Sequence, residues 1–322
     1  MIKILTEGGR EHGFGHIIRC LTLANYCLEN DLEYQFYVDG DESAHKIIKQ
    51  HNGTLVDWKR DCFIKENINH EDTVFVDSYY LTLEHYEIIR KRAEKLLIVD
   101  DLYRLPYDGY TIVNPNFCAD LLLSDDSKNI YLYGEKYILL RNEFVGKKNN
   151  VLNKEVKRVL ITFGGSDILD LTPRVITYLR NLSSEITIEV VIGFGYTNLA
   201  KIKRVSNVRV NLHYNISANE MAKLMYEVDF GICAAGQTVN EMLKIGCPGC
   251  FIKVIDNQQL NIDYFNKSNR GLIFYEDDLS NIKEMFKFEV RNSLKQELNK
   301  IKNDSSGAHE LYKYIEVGKS GK

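Results

Sequence analysis

Several features that define common classes of protein are missing from this sequence. Its 41 basic and 45 acidic residues leave a net charge of −4 and a pI near 6.1, whereas nucleic-acid-binding proteins usually carry a basic face. No apolar run approaches the ~20 residues of a membrane helix, and the N-terminus leads into a strand without a signal-like segment. We therefore expect a cytoplasmic protein that has neither nucleic acid nor a membrane as a partner.

The sequence also offers no clear disulfide or metal pattern. The seven cysteines are odd in number and scattered, unlike the disulfide framework of a secreted protein. Cys247 and Cys250 form a lone CxxC pair without a second pair or a nearby histidine, which does not favour zinc. Asp39-Gly40-Asp41 has the DxD spacing that some nucleotide-sugar enzymes use for a metal, but Asp-Gly after a strand is more often a turn. We predict no metal and no cofactor.

Two common phosphate-binding motifs are absent as well. The dinucleotide fingerprint needs a third glycine three residues after the second, but Gly13 and Gly15 are followed by Ile18 at that position. The chain also contains no GxxxxGK[ST] sequence. These absences argue against a dinucleotide-dependent dehydrogenase and against phosphoryl transfer on a P-loop.

The stretch from Gly8 to Arg19 is the part of the chain most typical of a ligand site. It holds four glycines and joins a short apolar strand to a helix. Glycine permits left-handed backbone and the close approach of a ligand, so we assign Gly13, Gly15 and Arg19 to substrate binding. A histidine at such a turn points into the crevice at the carboxyl end of the strand, which makes His16 our first catalytic candidate. A capping or packing histidine is the alternative.

Polar residues recur where the predicted strands of the N-terminal half end. Tyr79 and Asp100 each lie just beyond an apolar run that predicts a buried strand. In an open parallel sheet ligands bind at that edge, so both residues are expected to face the same crevice as His16. The alternatives are a half-buried surface tyrosine at Tyr79 and a helix or turn cap at Asp100 or Asp101.

A polar break at residues 146–150 divides the chain, and the alternation of strands and helices restarts after it. Both halves open with a strand, a glycine-rich loop and a helix, as two facing nucleotide-binding domains do. The predicted fold is therefore α/β. Residues 1–146 are expected to form an N-terminal Rossmann-like domain that carries the base. Residues 151–322 are expected to form a C-terminal Rossmann-like domain that binds the nucleotide and includes the terminal helices.

Two loops of the C-terminal half are predicted to hold a diphosphate. The loop Gly164-Gly165-Ser166 follows the first strand of that half, and the turn Gly236-Gln237-Thr238 opens a later helix. Small residues before a helix leave its first N–H groups open, and this end carries partial positive charge, so it can bind a diphosphate without a metal. Glu241 lies on the first turn, where it could accept hydrogen bonds from a ribose diol. Its alternative role is to satisfy the helix dipole.

Seven segments, taken in order along nearly the whole chain, resemble the UDP-sugar hydrolases of pseudaminic acid biosynthesis. The segments are Gly13-Phe14-Gly15-His16-Ile17-Ile18-Arg19, Asp77-Ser78-Tyr79, Asp100-Asp101-Leu102, Arg141-Asn142-Glu143-Phe144, Phe163-Gly164-Gly165-Ser166-Asp167, Ala235-Gly236-Gln237-Thr238-Val239-Asn240-Glu241 and Asp256-Asn257-Gln258. Seven ordered matches are far more specific than the GxGH motif alone.

The resemblance implies a glycosyltransferase-B (GT-B) scaffold, in which two Rossmann-like domains face each other across a cleft. It also implies metal-free cleavage of UDP-2,4-diacetamido-2,4,6-trideoxy-β-L-altropyranose to UDP and the free sugar. In the family's pattern His16 matches the general base, Tyr79 an active-site tyrosine and Glu241 the nucleoside contact. Asn257 matches a polar group near the sugar, which we assign to the catalytic set, and we assign Gln258 to substrate binding.

We expect His16 to take a proton from water as the water attacks the anomeric carbon, while UDP leaves from the opposite face. The expected partners are therefore a UDP-sugar and water. A GT-B glycosyltransferase, in which His16 deprotonates an acceptor hydroxyl, is the first alternative. The N-terminal half shows no apolar or basic acceptor surface in its sequence, which favours the hydrolase. A non-catalytic nucleotide-sugar binding protein is the second alternative.

Overall fold

The structure, a computed structural model, describes residues 1–9, 13–121, 128–193 and 195–317. The chain forms two compact units. Unit 1 contains Met1–Leu140 and the C-terminal segment that begins at Ser305, and unit 2 contains Arg141–Asp304. Each unit is an α/β domain built on one parallel sheet.

Unit 1 is built on seven parallel strands. The strands are β1 (Ile2–Gly8), β2 (Tyr34–Gly40), β3 (Gly53–Leu55), β4 (Thr73–Asp77), β5 (Lys95–Val99), β6 (Thr111–Asn114) and β7 (Ile130–Tyr133). The helices between them are α1 (Gly15–Glu29), α2 (Glu42–Ile48), α3 (Asp61–Asn67) and α4 (Leu83–Arg92). The strands lie in the order β3-β2-β1-β4-β5-β6-β7, so the strand order reverses between β1 and β4. Ligands of such sheets bind beyond the carboxyl ends of the strands at this point.

Unit 2 repeats this plan with six parallel strands. The strands are β8 (Arg158–Thr162), β9 (Thr187–Ile192), β10 (Val210–Tyr214), β11 (Phe230–Ala234), β12 (Gly249–Ile252) and β13 (Leu272–Ile273). The helices are α5 (Leu171–Leu182), α6 (Leu199–Val205), α7 (Ala218–Glu227), α8 (Gln237–Ile245), α9 (Gln259–Lys267) and α10 (Phe288–Asn299). The order β10-β9-β8-β11-β12-β13 again reverses between the first and fourth strands. Within the described ranges no helix is long and apolar enough to cross a membrane.

The central strands are apolar because both faces of each sheet are covered. In β1, Ile4 packs with Phe75 in the layer that contains α1. The next residue, Leu5, packs with Trp58 and Val76 in the layer on the opposite face. Successive strand residues point to opposite faces, so a strand covered on both sides shows a continuous apolar run rather than an alternating pattern.

Helix α1 begins at Gly15, directly after the glycine loop. Ile17, Leu21 and Ala24 are buried against the sheet at helical spacing. His16 and Arg19 are three residues apart and therefore lie on the same side of the helix. The position of the helix start thus brings both side chains to the carboxyl edge of the sheet.

The two units differ in two places from the division predicted between residues 146 and 151. The segment from Arg141 belongs to unit 2, where the Asn149 side chain donates hydrogen bonds to two carbonyls at the C-terminal end of α7. The last helix, α11 (Gly307–Val317), belongs to unit 1. Its residues Leu311 and Ile315 are buried in the layer that contains α1. The terminal helix is therefore grouped with the N-terminal domain because its apolar face completes that core.

Some short elements are not predicted by the sequence pattern. Strand β3 and helices α3 and α6 each contain seven residues or fewer. Strand β10 begins at Val210, and Val208, two residues before it, is 97% exposed. Strands β3 and β10 lie at the edges of their sheets, where one side of the strand has no neighbour. Burial then imposes little pattern on the sequence.

Candidate functional site

In unit 1, side chains from the start of α1 and from the ends of β4 and β5 meet in one hydrogen-bonded cluster. His16 Nδ1 lies 2.7 Å from Asp77 Oδ1. Arg19 donates two hydrogen bonds to the same carboxylate: Nη2 donates to Oδ1 at 2.6 Å and Nε donates to Oδ2 at 2.7 Å. The third nitrogen, Nη1, donates to Asp101 Oδ2 at 3.0 Å. Arg19, predicted to bind substrate, therefore joins two carboxylates of the protein.

Tyr79 contacts two members of this cluster, Asp101 and His16. Its hydroxyl donates to Asp101 Oδ1 at 2.6 Å. Its ring stands edge-on to the His16 ring, with centroids 4.5 Å apart and an interplanar angle of 88°, a favoured arrangement of aromatic rings. Burial and the neighbouring Asp101 carboxylate raise the pKa of Tyr79, so the hydroxyl stays protonated. The structure thus brings His16 and Tyr79 together.

The cluster also sets the charge of its members. Burial opposes the ionisation of Asp77, but Arg19 and His16 hold the pKa of Asp77 well below its ordinary value, so it is a carboxylate. Burial opposes protonation of His16 as well, but the Asp77 carboxylate outweighs it and raises the pKa of His16. Asp77 Oδ1 accepts a hydrogen bond from His16 Nδ1. The neutral imidazole of His16 therefore carries its proton on Nδ1 and its lone pair on Nε2. His16 can therefore accept a proton at Nε2.

Asp100, predicted to bind substrate, instead shapes its own loop. Its carboxylate is fully buried. It accepts hydrogen bonds from the main-chain N–H groups of Leu102 at 3.0 Å and Arg104 at 2.9 Å, and from the Tyr107 hydroxyl at 2.7 Å. Both oxygens of this buried carboxylate therefore accept hydrogen bonds from its own loop. The turn-cap alternative describes Asp100, and the neighbouring Asp101 is the residue that reaches the cluster.

Gly13, just before α1, and Gly15, its first residue, are exposed. Gly13 has φ +78°, in the left-handed region that favours glycine. A Cβ built at Gly13 or at Gly15 would meet no heavy atom within 4 Å in the described part of the chain. These positions therefore leave room for a ligand beside the main chain. Arg10, Glu11 and His12, which belong to the predicted glycine loop, lie outside the described residues.

In unit 2 the first strand also ends in an exposed glycine turn, Gly164-Gly165-Ser166. Gly164 has φ +75°. A Cβ on Gly193 would lie 2.5 Å from the Cα of Gly165, so the turn packs closely on the loop after β9. Asp167 ends the turn and accepts hydrogen bonds from two N–H groups at the start of α5, each at 2.9 Å. The turn presents main-chain atoms and one hydroxyl to a ligand.

The start of α8 is the second exposed feature of unit 2. Gly236, Gln237 and Thr238 are partly exposed, and the N-cap residue, Gly236, has no side chain with which to cap the helix. Glu241, one turn into the helix, is 3% exposed, and its Oε1 accepts a hydrogen bond from Arg141 Nε at 2.7 Å. Burial opposes the charge on Arg141, but Glu241 raises the pKa of Arg141, so the guanidinium stays charged. An ion pair with a buried carboxylate therefore lies one turn into α8.

Asn257 and Gln258 lie on a short 3₁₀ helix, Asp256–Gln258, between β12 and α9. Gln258 Oε1 accepts a hydrogen bond from the Val254 N–H at 2.9 Å. Gln258 Nε2 would lie 3.3 Å from a Cβ on Gly236, so Gln258 borders the start of α8. Asn257, assigned to the catalytic set, is exposed to solvent on this unit.

The two aspartates of the DxD sequence have other partners. Asp39 Oδ2 lies 2.6 Å from Lys59 Nζ. Asp41 Oδ1 caps α2, accepting from the N–H groups of Ser43 at 2.9 Å and Ala44 at 3.3 Å. In the part of the chain that the structure describes, no three His, Cys, Asp or Glu side chains are grouped to hold a metal. Asp39 and Gly40 are the last residues of β2 and Asp41 is the N-cap of α2, so the segment joins a strand to a helix rather than forming a separate turn.

Three residues of these clusters were given no catalytic or binding role from the sequence, although they lie in the segments that carry the resemblance: Asp77, Asp101 and Arg141. Asp77 ends an otherwise apolar buried strand, and a carboxylate at that position is a signal that the sequence does contain. Arg141 pairs with a residue 100 positions away, and nothing near Arg141 in the sequence indicates that partner. Only the tertiary structure brings the two together.

Comparison with known sequences places part of this chain beside a glycosyltransferase family. Residues 158–315 match the model of the glycosyltransferase family 28 C-terminal domain. The uncharacterized protein MJ1062 of Methanocaldococcus jannaschii is 33% identical over 266 residues, which are 77% of this chain and 54% of that protein. The UDP-2,4-diacetamido-2,4,6-trideoxy-beta-L-altropyranose hydrolase of Campylobacter jejuni is 24% identical over 289 residues, 83% of this chain and 97% of that protein. The chain thus spans about half the length of the first relative.

Solved structures define the fold. MurG of Acinetobacter baumannii superposes with a TM-score of 0.67 at 14% identity, over 96% of this chain and 98% of that one. MurG is a GT-B glycosyltransferase, and GT-B chains contain two Rossmann-like domains. The present chain has the same two parallel-sheet α/β domains. The predicted fold class is therefore confirmed.

Proposed function

We propose that this chain is a hydrolase that cleaves a UDP-linked 2,4-diacetamido-2,4,6-trideoxy sugar to UDP and the free sugar, without a metal. The observation that carries the proposal is the buried Asp77–His16 pair at the carboxyl edge of unit 1, since it supplies an oriented base. The name of the Campylobacter jejuni relative supports the reaction and the substrate. The match to glycosyltransferase family 28 supports a nucleotide-sugar as the ligand.

The reaction needs only water and the substrate. His16 Nε2 takes a proton from a water molecule as the water oxygen attacks the anomeric carbon. The bond from that carbon to the phosphate oxygen breaks on the opposite face, and its electron pair leaves with UDP. The configuration at the anomeric carbon is therefore inverted. Asp77 stabilises the imidazolium that forms on His16, as a carboxylate behind a histidine does in other enzymes.

Unit 2 is proposed to hold the nucleotide. The exposed turn Gly164-Gly165-Ser166 and the partly exposed start of α8 at Gly236-Gln237-Thr238 are proposed to offer main-chain N–H groups to the diphosphate. Glu241 accepts hydrogen bonds from the ribose hydroxyls, and Gln258 borders the same helix start. The charge that UDP gains on leaving is stabilised by these N–H groups, so no strong general acid is required. In unit 1, Gly13 and Gly15 are proposed to line the sugar site and Tyr79 to shape it. For Asn257 we keep the predicted role of a polar group near the sugar.

A glycosyltransferase is the second candidate function. The family 28 match and the likeness to MurG favour it, because the same base could deprotonate an acceptor hydroxyl instead of water. A non-catalytic nucleotide-sugar binding protein is the third candidate. It would bind the UDP-sugar and leave it intact.

The test is to incubate the protein with UDP-2,4-diacetamido-2,4,6-trideoxy-β-L-altropyranose in ¹⁸O-labelled water, with no acceptor and with a chelator present. We expect UDP without ¹⁸O, and a free sugar whose first anomeric proton signal in NMR is that of the inverted anomer. Label in the nucleotide product would mean that a phosphorus–oxygen bond breaks. UDP-N-acetylglucosamine serves as the matched substrate control and should be turned over much more slowly.

The other outcomes separate the candidates. Turnover that begins only when an acceptor is added would establish a transferase. Binding of the UDP-sugar without turnover under any of these conditions would establish a binding protein. Loss of turnover with the chelator, restored by a divalent cation, would overturn the metal-free reaction.

A further inference from the structure

Beyond the end of β4, two side chains hold the main chain of Ser78 and Tyr79. The Tyr79 N–H donates to Glu7 Oε1 at 2.7 Å. On the other side of this segment, Arg104 Nη1 donates to the Tyr79 carbonyl at 2.6 Å and Nη2 donates to the Ser78 carbonyl at 2.8 Å. Three hydrogen bonds to main-chain atoms therefore fix the turn that carries the Tyr79 ring.

Glu7 is an unusual residue for a purely structural role. It lies near the carboxyl end of β1 and is 3% exposed. Its Oε2 is buried as well, and the Ser78 side chain lies beside the carboxyl group. Burial raises the pKa of Glu7, and hydrogen bonds with the Ser78 side chain and the Tyr79 N–H act against that rise. Burying a carboxyl group costs free energy, and such groups in native proteins call for an explanation other than stability.

Arg104 explains the position of Asp100. The Asp100 carboxylate accepts the Arg104 N–H at 2.9 Å, and its Oδ1 lies 3.7 Å from Arg104 Nε. The Arg104 guanidinium in turn lies over the Tyr79 ring, 5.1 Å from the centroid. Asp100 thus shapes the loop after β5 so that Arg104 reaches back to the end of β4.

We infer that Glu7 and Arg104 are positioning residues that clamp the main chain at Tyr79. The clamp keeps the tyrosine ring edge-on to His16 and the hydroxyl on Asp101 while the base works. This inference rests on the reaction proposed above, because only a reaction at His16 gives the position of the ring a catalytic consequence. Neither Glu7 nor Arg104 needs to contact the substrate.

The first test compares Glu7→Ala with Glu7→Gln. The amide oxygen of glutamine can still accept the Tyr79 N–H, whereas alanine leaves that N–H without its acceptor. We expect Glu7→Ala to lower kcat roughly 10- to 100-fold, a loss typical of a small misplacement next to the reacting groups. Glu7→Gln should rescue kcat to within about 3-fold. The Kd for UDP, measured by calorimetry, should not change in either variant, because the proposed nucleotide contacts lie in unit 2.

A double-mutant cycle with Tyr79→Ala shows whether Glu7 acts through Tyr79. If it does, Glu7→Ala should lower kcat little further in the Tyr79→Ala background, since the ring that it positions is gone. Losses that multiply in full would overturn the inference, because independent sites are additive in free energy. A Glu7→Gln variant as impaired as Glu7→Ala would overturn it too, by showing that the carboxyl group itself is needed.

Arg104 provides a second variant in case Glu7→Ala does not fold. Arg104→Gln should lower kcat in the same range. Arg90→Gln is the matched control, since Arg90 Nη1 also approaches two main-chain carbonyls of unit 1, those of Asp108 and Gly109, at 3.4 Å. Arg90→Gln should leave kcat unchanged. An unchanged kcat in folded Arg104→Gln would contradict the clamp.

Proton NMR of the histidines separates this inference from the proposed function. The chain has eight histidines, and the His16 ring signal is assigned as the one lost in His16→Asn. The Tyr79 ring should shift that signal, and Tyr79→Ala, Glu7→Ala and Arg104→Gln should all move it toward the same value. Glu7→Gln and Arg90→Gln should leave it in place. These outcomes need no turnover, so they test the clamp even if the wild-type protein hydrolyses nothing, and an unmoved signal in both Glu7→Ala and Arg104→Gln would overturn it.

Discussion

The two units share one fold plan but present very different groups at the same point of that plan. In both, the strand order reverses between the first and fourth strands. At this point unit 1 has a buried network of charged groups around Asp77 and Arg19. Unit 2 has an exposed glycine turn after β8 and a partly exposed helix start after β11. An ion pair with a buried carboxylate, Arg141–Glu241, stands a turn behind that helix start.

This difference indicates a division of labour. A base must be oriented and its pKa adjusted, which requires partners that are themselves held in place by other groups. A diphosphate requires only accessible N–H groups and a partial positive charge. We therefore expect chemistry to depend on unit 1 side chains and nucleotide affinity to depend on unit 2. The predictions that follow test whether the two can be separated.

The largest effect is expected for His16→Asn. Asparagine keeps a polar side chain beside Asp77 but has no basic nitrogen, so kcat should fall about 10²- to 10⁴-fold. The Kd for UDP should stay within a few-fold of the parent value. Steady-state kinetics and calorimetry measure the two quantities.

The matched control for this change is His213→Asn. His213 Nε2 lies 2.6 Å from Glu189 Oε2, so it is also a histidine paired with a buried carboxylate, but on β10 of unit 2. Its replacement should leave kcat unchanged. If His16→Asn lost UDP affinity as its main defect, His16 would be a nucleotide-site residue and the proposed attack of water would have no base.

The next effect in size is expected for Glu241→Ala. A charge-assisted hydrogen bond contributes about 1.5–3 kcal/mol, so the loss of the acceptor for the ribose hydroxyls should raise the Kd for UDP roughly 10- to 150-fold. Glu241→Gln keeps the shape and one acceptor oxygen and should weaken binding less. Because Arg141 loses its charged partner in both variants, circular dichroism must show that each is folded. An unchanged Kd in folded Glu241→Ala would leave the carboxylate as a partner of Arg141 alone.

A smaller effect concerns the pH dependence of the reaction. Burial opposes protonation of His16, but Asp77 outweighs it, so the pKa of His16 lies above its ordinary value. The base is the neutral ring, so kcat/KM should rise with pH and reach half its maximum above about pH 6.5, the ordinary histidine pKa. The contribution of the His16–Asp77 ion pair to the stability of the fold depends on pH in the opposite direction. Its contribution is present below the unfolded pKa and is lost as pH rises through the raised pKa of the folded state.

Asp77→Asn sharpens this test. Without the carboxylate, burial and Arg19 both act to lower the pKa of His16, so the rising limb of kcat/KM should move to lower pH as the plateau falls. Asp101 is a weaker influence on His16, so Asp101→Asn should move the limb less and serves as the control. A limb that stays in place in Asp77→Asn would show that another group titrates.

The fold class could be predicted from the sequence because covered parallel strands and glycine-terminated helices leave local patterns. Helix α8, for example, is closed by its C-cap residue Gly246, which has φ +70°. The assignment of α11 could not be predicted. Its apolar stripe at Leu311 and Ile315 shows that it packs on a core but does not show on which one. That choice depends on tertiary contacts between the two ends of the chain.

The site was predicted in part. Because ligands bind at the carboxyl ends of parallel strands, the sequence places His16 and Tyr79 at the same edge of the sheet, and the structure brings the two rings into contact. Their catalytic roles stay predictions. The rule could not choose between Asp100 and Asp101, because the direction of each side chain depends on how the loop turns after β5. The sequence pattern also could not indicate Glu7, which lies near the end of β1 and belongs to no motif.

The smallest expected effect comes from Gly15→Ala, and it separates a glycine kept for a ligand from one kept for the backbone. A Cβ at Gly15 meets no heavy atom within 4 Å among the described residues, and alanine favours a helix more than glycine does, so stability should be unchanged or slightly higher. Gly164→Ala places a side chain at φ +75° and should cost about 1–2 kcal/mol of stability. If the sugar lies against Gly15, the added methyl group should displace it and weaken several of its contacts, each worth about 0.1–0.2 kcal/mol. The KM for the UDP-sugar should then rise about 3- to 10-fold. Thermal unfolding and KM measure both effects, and an unchanged KM in Gly15→Ala would show that the open start of α1 does not lie against the substrate.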